Sequence, residues 1–338
     1  MNKALIQHTL DEITSAQTVP CIALGFLTQT QSEVWISGNQ ALVPEVEALK
    51  RDAQFDLASL TKVVVTTTLI LKLVEKGKLS LETPISSILT DFRYPDITVF
   101  HLLTHTSGLC ADHKGYKDHV GVEALRRFIM DLPLSETPGK RVVYTDFGFI
   151  LLGWVVEALM GPLDQAAKNE IFEPLGMKDT GYRPADPLRC VPTELSAHRG
   201  LIRGVVHDGK ANNLGGVSGN AGIFSTIDDL MRFVQSLLFD ERLLRKLTKT
   251  LLRQTHTQGL DFKRTLGWYR KDPTCALGPL VSQDILYHTG FSGTSILIDY
   301  EAQSAIVILT NRVHPKRDND SIQDLRLRLH NLIYTAHL

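Results

Sequence analysis

A serine and a lysine lie three residues apart in the stretch "FDLASLTKVVVTT", residues 55 to 67. A serine hydroxyl becomes an effective nucleophile when a neighbouring base can take its proton. If a helix begins here, Ser59 and Lys62 lie on the same side of it, and burial among apolar residues would leave the Lys62 amine partly neutral. The spacing also fits a serine that caps a helix and a lysine exposed to solvent, and this stretch taken alone favours that structural interpretation.

A tyrosine two residues ahead of an aspartate offers a phenol that can relay protons. The pattern occurs three times, at 94–96, 116–118 and 144–146. Only the third follows a Pro-Gly turn and precedes a strongly apolar helical pattern, in "PGKRVVYTDFGFILLG". Tyr144 is therefore the candidate proton relay. The structural alternative is that Asp146 caps the helix and Tyr144 belongs to the core.

A third candidate is "HTGFSGTS", residues 288 to 295, at the edge of a predicted strand. It begins with His288 and Thr289 and continues with Gly290 and Phe291. A glycine at this place would let a substrate backbone approach the edge of the strand closely. The alternative interpretation is a simple hairpin turn.

Other chemistries fit the sequence less well. "GVVHDGKA", residues 204 to 211, approaches a phosphate-binding loop, but Ala211 replaces the hydroxyl that binds magnesium and the sequence predicts no clear helix after it. His101 and His105 have the spacing of zinc ligands on a helix, yet neither the required glutamate nor a third ligand accompanies them. We interpret both histidines as structural and predict neither a metal nor a cofactor.

The composition excludes several classes of protein. The 338 residues are 43% hydrophobic and 22% charged, with a net charge of -1, which argues against sequence-independent binding of nucleic acid. The amino terminus lacks the apolar core of a secretory signal, and the apolar stretches are too short or too interrupted to span a bilayer. The expectation is a soluble cytoplasmic protein that acts on a small molecule and contacts no membrane. Its oligomeric state stays open.

The cysteines are widely spaced and form no CxxC pair. They are interpreted as buried free thiols in a reducing compartment. The four residues are Cys21, Cys110, Cys190 and Cys275.

The elements that must position these residues follow from periodicity. Helices are predicted over 2–18, over 60–76 and from Asp146 to Gly161, and two short strands over 21–38. From about residue 265 the pattern becomes β-rich, in "LGWYR", "ILYHTG", "TSILIDY" and "AIVILTN", and an amphipathic helix closes the chain after Asp318.

Strands therefore lie at both ends of the chain and helices in the middle. This order predicts an α+β fold in which one antiparallel sheet, flanked by helices, is built from both chain ends around an inserted helical region. We place the sheet domain at 1–60 and 216–338 and the helical domain at 61–215, with the active site in the cleft between them.

Taken in order, Ser-x-x-Lys, Tyr-x-Asp and His-Thr-Gly resemble the motifs of the serine β-lactamase and penicillin-binding protein superfamily. The stretches "LLTHTSGL", "EPLGMKDTGY" and "GGVSGNAGIFST" are also typical of it, and the resemblance covers residues 20 to 315. It is strongest to class C β-lactamases and to the related DD-carboxypeptidases, esterases and D-aminopeptidases, whose fold agrees with the layout predicted above.

The resemblance implies a role for each motif. Ser59 would be the nucleophile, Lys62 its proton acceptor or electrostatic partner, and Tyr144 the general base for acylation and deacylation. The backbone N–H groups of Ser59 and Phe291 would form the oxyanion hole. His288 would stand on the strand that borders the cleft.

Two positions depart from the usual β-lactamase pattern. Asp146 replaces an asparagine whose amide donates to substrate, and its charge would repel anions. His288 replaces a lysine and is largely neutral at pH 7. Both changes favour neutral esters, or substrates with an amine that Asp146 could bind.

The predicted function is that of a serine hydrolase acting through an acyl-enzyme on an ester or amide. The alternatives are a true class C-like β-lactamase or DD-carboxypeptidase, and a catalytically idle penicillin-binding or sensor module.

Overall fold

The computed structural model describes residues 1–337. The strands in this range are β1 Cys21–Thr28, β2 Ser32–Ala41, β3 Glu47–Ala48, β4 Phe55–Asp56, β5 Gly181–Tyr182, β6 Leu195–Ser196, β7 Gly200–Leu201, β8 Ile223–Ser225, β9 Ile285–Thr289, β10 Ser295–Asp299 and β11 Ser304–Thr310.

The α-helices in the same range are α1 Lys3–Ser15, α2 Thr68–Glu75, α3 Val99–Leu103, α4 Val122–Met130, α5 Asp146–Met160, α6 Leu163–Ala167, α7 Glu173–Leu175, α8 Gly209–Asn213, α9 Ile227–Phe239, α10 Lys246–Arg253 and α11 Ile322–His337. Shorter 3₁₀ turns occupy Ala58–Leu60, Ile85–Ser87, Lys114–Asp118 and Pro187–Arg189, and π-helical turns occupy Lys62–Thr67 and Lys168–Phe172.

The main sheet joins the two ends of the chain. Its order is β3-β2-β1-β11-β10-β9, and all neighbours are antiparallel. The first strand of the chain thus pairs with the last, with Ile22 opposite Thr310. Helices α2 to α10 lie between these two groups of strands in the sequence. The predicted α+β class is confirmed, while the proposed domain limits stay a prediction.

Alternation along β1 distributes its side chains to two cores. Ile22, Leu24 and Phe26 pack with apolar residues of α1 and α11 on one face of the sheet. Ala23 and Leu27 point to the other face and join the larger core, to which α9 and the helical region contribute. Because both faces are covered, nearly every residue of β1 is buried.

The helix predicted over 60–76 is irregular at its start. The backbone passes from the 3₁₀ turn that holds Ser59 into the π turn Lys62–Thr67 and only then into α2. The Thr68 hydroxyl donates to the carbonyl of Val63 at 3.0 Å within this segment. Such π turns recur at functional sites.

Two local predictions are wrong. "LGWYR" forms no regular strand: Tyr269 makes isolated bridges to Arg264 and Tyr287. The chain bends at Gly267, whose φ is 77° and whose Cβ, if present, would lie 2.1 Å from the Thr67 hydroxyl.

The second error concerns the start of α5. Its N-cap is Thr145, whose hydroxyl accepts from the Phe147 amide at 3.2 Å, and not Asp146. The carboxylate of Asp146 is therefore available for other contacts. Gly161 ends the helix as predicted.

Between residues 1 and 337 no single helix combines the length and hydropathy needed to cross a bilayer, although α5 together with the segment Leu163–Leu175, bent by 78°, meets that test as a pair.

The cysteines are free, but only Cys21 and Cys190 are buried and the other two are half-buried.

Candidate active site

Ser59 lies on a tight turn that is stabilised by hydrogen bonds to the side chain of Asp56. The buried Asp56 carboxylate accepts a hydrogen bond from the Ala58 amide at 2.8 Å and another from the His207 amide at 2.7 Å. Ala58 has a φ of 47°, in the left-handed region that residues with a side chain rarely adopt. The turn presents Ser59, half-buried, at the floor of a cleft.

Lys62 is fully buried and contacts the nucleophile candidate directly. Its Nζ donates to Ser59 Oγ at 2.9 Å, to Asp146 Oδ1 at 2.8 Å and to the carbonyl of Asn220 at 3.1 Å. An ammonium offers three donors, and each has an acceptor here. The interpretation of Lys62 as an exposed amine beside a capping serine is therefore wrong.

The charge of Lys62 also differs from the expectation. Burial alone would lower its pKa, but the charge of Asp146 and the interaction with Tyr144 outweigh burial and raise the pKa above the usual value. Lys62 thus carries its proton at neutral pH, whereas the sequence led us to expect a partly neutral amine. The carboxylate partner, which comes from a different helix, makes the difference.

Tyr144 stands beside this lysine. Its ring centroid lies 5.1 Å from Lys62 Nζ and 4.6 Å from the centroid of the His105 ring. Burial raises the pKa of Tyr144, while Lys62 and Ser59 act in the opposite direction. The phenol is therefore protonated at neutral pH, and the charge of Lys62 favours its ionised form.

His105 has a structural role, as predicted. Its Nδ1 accepts from the Thr145 amide at 3.2 Å and its carbonyl accepts from the Val143 amide at 2.8 Å. These two bonds fix the chain on either side of Tyr144. The structure of residues 1–337 contains no cluster of His, Cys, Asp or Glu that could hold a metal ion.

Asp146 bridges two lysines. One carboxylate oxygen accepts from Lys62, and the other accepts from Lys210 Nζ at 3.1 Å. Burial alone would raise the pKa of Asp146, but the two ammonium groups lower it to about 2. Each oxygen already pairs with an ammonium group, so a substrate amine would compete with two lysines, and the charge of Asp146 is more than balanced locally. The expected repulsion of anionic substrates loses its basis.

Sequence reasoning missed Lys210. It lies in α8, and its Nζ also contacts Asp112 Oδ1 at 3.1 Å. The near-match to a phosphate loop had drawn attention to this segment, but its lysine points to carboxylates. The available signal was "HDGK", in which Asp208 caps α8 by accepting from the Ala211 amide at 2.8 Å. The helix that the sequence analysis did not expect thus exists.

His288 does not line the cleft, contrary to its predicted role in binding substrate. It is fully buried, and its Nδ1 lies 3.0 Å from the carbonyl of Thr289. Burial and the charges of Arg264 and Lys62 lower the pKa of His288 well below its usual value. The imidazole is therefore neutral and lies behind the strand edge.

The rest of the third motif packs against the turn that bears Ser59. A Cβ on Gly290 would lie 2.4 Å from the carbonyl of Leu57 and 2.2 Å from Thr294 Oγ1. The glycine thus permits close approach of the protein's own backbone, where we had expected the substrate backbone. Thr289 is half-buried next to it, and Phe291 stands at the rim of the cleft with 45% of its surface exposed.

The cleft has a volume of about 480 Å³, within the range of small-molecule sites. Its walls carry charges of both signs. The ionisable side chains that line it, besides those of Tyr144 and Asp146, are Asp112, Tyr116, Lys117, Glu194, His198, Arg199, His207, Asp208, Lys210 and Arg317. Among them, His207 Nε2 pairs with Glu194 Oε2 at 2.8 Å, and the His207 ring stacks on Phe291 with centroids 5.7 Å apart.

Residues 6–330 match the family named Beta-lactamase, and the chain belongs to this family. The resemblance read from the ordered motifs is thereby confirmed. The chain is a hydrolase of the serine β-lactamase and penicillin-binding protein superfamily.

The names of individual relatives refer to different activities. The chain is 31% identical to the N-acetylmuramyl-L-alanine amidase of Bacillus subtilis (strain 168), over 79% of this chain and 69% of the relative. Its fold is similar to that of EstCE1, a hydrolase with promiscuous acyltransferase activity, with a TM-score of 0.78, 23% identity and coverage of 96% of this chain and 98% of that one. A class C beta-lactamase aligns with a TM-score of 0.77 and 18% identity over 98% of this chain and 97% of that one.

Proposed function

We propose that this hydrolase acts through an acyl-enzyme formed on Ser59. The observation that carries the proposal is the 2.9 Å hydrogen bond from Lys62 Nζ to Ser59 Oγ, in which the lysine is fully buried and the serine opens onto the cleft. A buried ammonium that donates to Ser59 Oγ fixes the direction of the hydroxyl and stabilises negative charge on that oxygen.

Proton transfer is divided between two residues. Lys62, which carries a charge, orients Ser59 and favours the ionised form of Tyr144. Tyr144 in that form takes the Ser59 proton as Oγ attacks the acyl carbon, and it then gives the proton to the leaving group. In deacylation the same phenolate takes a proton from the attacking water.

The backbone N–H groups of Ser59 and Phe291 are the proposed donors to the oxyanion. The loop that carries Phe291 is held in place from both sides: its carbonyl accepts from Arg312 Nε at 2.9 Å, and the Ser292 hydroxyl donates to the carbonyl of Asp56 at 2.6 Å. A donor fixed in advance costs no reorganisation during the reaction.

The proposed substrate is a polar amide or ester, with an amide or short peptide-like molecule as the first choice. The cleft offers charged partners of both signs, including Lys210, Arg317 and Glu194, which suits a substrate with several polar groups better than an apolar ester. The name of the amidase from Bacillus subtilis points in the same direction.

A β-lactamase or DD-carboxypeptidase activity is the second candidate. It is favoured by the cationic groups Lys117, Lys210 and Arg317 around the cleft, any of which offers a partner for a substrate carboxylate. It is disfavoured by the burial of His288, which leaves no cation at the place where β-lactamases of this type usually have one.

The test is the intact mass of the protein after incubation with a fluorophosphonate, a penicillin or a p-nitrophenyl ester, beside Ser59→Ala. We expect a fluorophosphonate adduct and turnover of the ester in the wild type, both abolished in Ser59→Ala. A stable penicillin adduct would favour the second candidate. Absence of any adduct and of any turnover would overturn the proposal in favour of an idle binding module.

A further inference from the structure

Arg264 is a buried cation next to Tyr144 that the motifs do not include. Only 2% of its surface is exposed. Its guanidinium carbon lies 3.4 Å from the centroid of the Tyr269 ring and 5.4 Å from that of Tyr144. Within residues 1–337 it forms no ion pair, and its Nε and Nη1 atoms have no hydrogen-bond partner.

The backbone holds this arginine firmly in place. The Arg264 amide donates to Thr257 Oγ1 at 2.8 Å, and the Arg264 carbonyl accepts from the His256 amide at 2.8 Å. Tyr269, on which the guanidinium stacks, is bridged to Arg264 and on its other side to Tyr287 of β9. The position of the charge is therefore set by the fold and not by a carboxylate.

An unpaired buried cation is costly, because removal from water is not repaid by a counter-ion. Stacking on Tyr269 returns only part of that cost. Natural proteins accept such local penalties mainly where function requires them. The groups near the guanidinium that can take up a negative charge are the phenols of Tyr144 and Tyr269 and the thiol of Cys275, and of these only Tyr144 lines the cleft.

We propose that Arg264 is a positioning residue for the acyl-transfer reaction: its buried guanidinium stabilises the phenolate of Tyr144. The inference rests on the proposed function, in which Tyr144 is the base. In the reactive form Tyr144 has released its proton to solvent. The bond from Ser59 Oγ to the acyl carbon then forms while the hydroxyl proton moves to the phenolate oxygen, and that proton leaves with the departing amine or alcohol as the old bond breaks.

The groups around Tyr144 come from several elements. They are Ser59 and Lys62 from the turns before α2, His105 after α3, Asp146 from α5, Arg264 and Tyr269 from the segment before β9, and His288 from β9. Burial together with the charge of Arg264 lowers the pKa values of His105 and His288 well below their usual range, so both rings are neutral. The cations that face the phenol among these groups are therefore Lys62 and Arg264, and Asp146 opposes them.

The experiment is the pH profile of kcat/KM for p-nitrophenyl acetate in the wild type, Arg264→Gln, Arg264→Met and Arg264→Lys. Loss of a unit charge at this distance raises the pKa of the base, so the acid limb of the Gln and Met variants should move up by about one pH unit. Their rates should approach that of the wild type at high pH. Arg264→Lys, which keeps the charge, should bring the limb back toward its original place.

Arg270→Gln is the matched control. Arg270 is also buried, but it pairs with Asp284 at 2.9 Å and contacts the Ile285 carbonyl, so its loss should lower thermal stability without moving the limb. An unchanged limb in folded Arg264→Gln or Arg264→Met, while the wild type still forms its Ser59 adduct, would overturn the inference. A wild type without an adduct would instead overturn the proposed function.

Discussion

At the scale of single residues, the distinctive feature of the site is the aspartate in its second motif. Asp146 joins Lys62 to Lys210, so three largely buried charges are in direct contact, and Lys62 also donates to Ser59. A buried ion pair of this kind is retained only where its partners are well satisfied, and removal of one member leaves the others uncompensated. The charge of Asp146 also raises the pKa values of both Lys62 and Tyr144.

We predict that Asp146→Asn moves the acid limb of kcat/KM to lower pH. The proposed reaction needs a base that has lost its proton, and the charge of Asp146 raises the pKa values of both Lys62 and Tyr144. An amide in its place keeps the shape but removes the charge, so we expect a shift of about one pH unit downward. The measurement is the pH dependence of p-nitrophenyl acetate hydrolysis.

Asp112→Asn provides the comparison, since Asp112 pairs with Lys210 but not with Lys62. Its acid limb should move much less than that of Asp146→Asn. An upward shift in Asp146→Asn would contradict the assignment of roles. Removal of the charge of Arg264 should thus move the acid limb to higher pH, and removal of the charge of Asp146 should move it to lower pH. A general loss of stability would not produce shifts in opposite directions.

At the scale of elements, the site depends on loops that are far apart in sequence but share one buried carboxylate. Asp56 accepts from the amide of Ala58 in the Ser59 turn and from that of His207 in the loop before α8. The third motif closes the same structure from the opposite chain end, through the contact of Gly290 with the Leu57 carbonyl.

We predict that Asp56→Asn loses activity through misplacement of Ser59. An asparagine has one acceptor oxygen for two backbone donors, so one buried N–H remains unpaired at a cost of about 1–3 kcal/mol. The melting temperature should fall accordingly. The value of kcat should fall more than KM rises, because the turn that bears Ser59, the proposed nucleophile, moves while the cleft walls persist.

Asp228→Asn is a suitable control for the loss of a carboxylate, since it removes an exposed pair with Arg51, neither of which lines the cleft, and it should change neither kcat nor KM. A kcat of Asp56→Asn equal to that of the wild type would show that the two hydrogen bonds accepted by Asp56 do not position Ser59.

Four strands of the main sheet were predicted from the sequence. Short runs of apolar and β-branched residues separated by turns predicted β1, β2, β10 and β11, because most of these strands are buried on both faces and the pattern is local. The role of Lys210 could not be read in this way. It depends on a contact with Asp146 across 64 positions of the chain, which only the folded structure brings about.

The charge of Lys62 could not be predicted from the sequence for a related reason. A local window shows an amine among valines, which suggests a lowered pKa, and it cannot show the carboxylate that comes from α5. The burial of His288 could not be predicted either, since the side chain of a histidine near the end of a strand can lie in the cleft or in the core.

At the scale of the whole molecule, the two chain ends support the site jointly. Helix α11 covers one face of the sheet with Leu325, Leu329 and Ile333. The same helix reaches the third motif, where Arg326 Nη2 donates to the carbonyl of Thr294 at 2.9 Å. Sheet, closing helix and site are thus linked by direct contacts, and we expect them to unfold together.

We predict that Leu329→Ala destabilises the whole protein by about 2–5 kcal/mol, because it removes a fully buried side chain from a packed core. The measurement is unfolding in urea, followed both by tryptophan fluorescence and by residual hydrolase activity. The midpoints from the two probes should move to lower urea concentration equally. The tryptophans report on different parts, with Trp35 in β2 and Trp154 in α5.

Leu247→Ala separates burial from residue type, since Leu247 lies in α10 with 84% of its surface exposed and its truncation should leave the transition almost unchanged. If activity in Leu329→Ala disappears at a lower urea concentration than the fluorescence change, the site melts before the sheet. The contact through Arg326 would then bind α11 to the site without making the two a single cooperative unit. Coincident curves would instead mean that a closing helix at the far end of the chain determines the stability of the turn that bears Ser59.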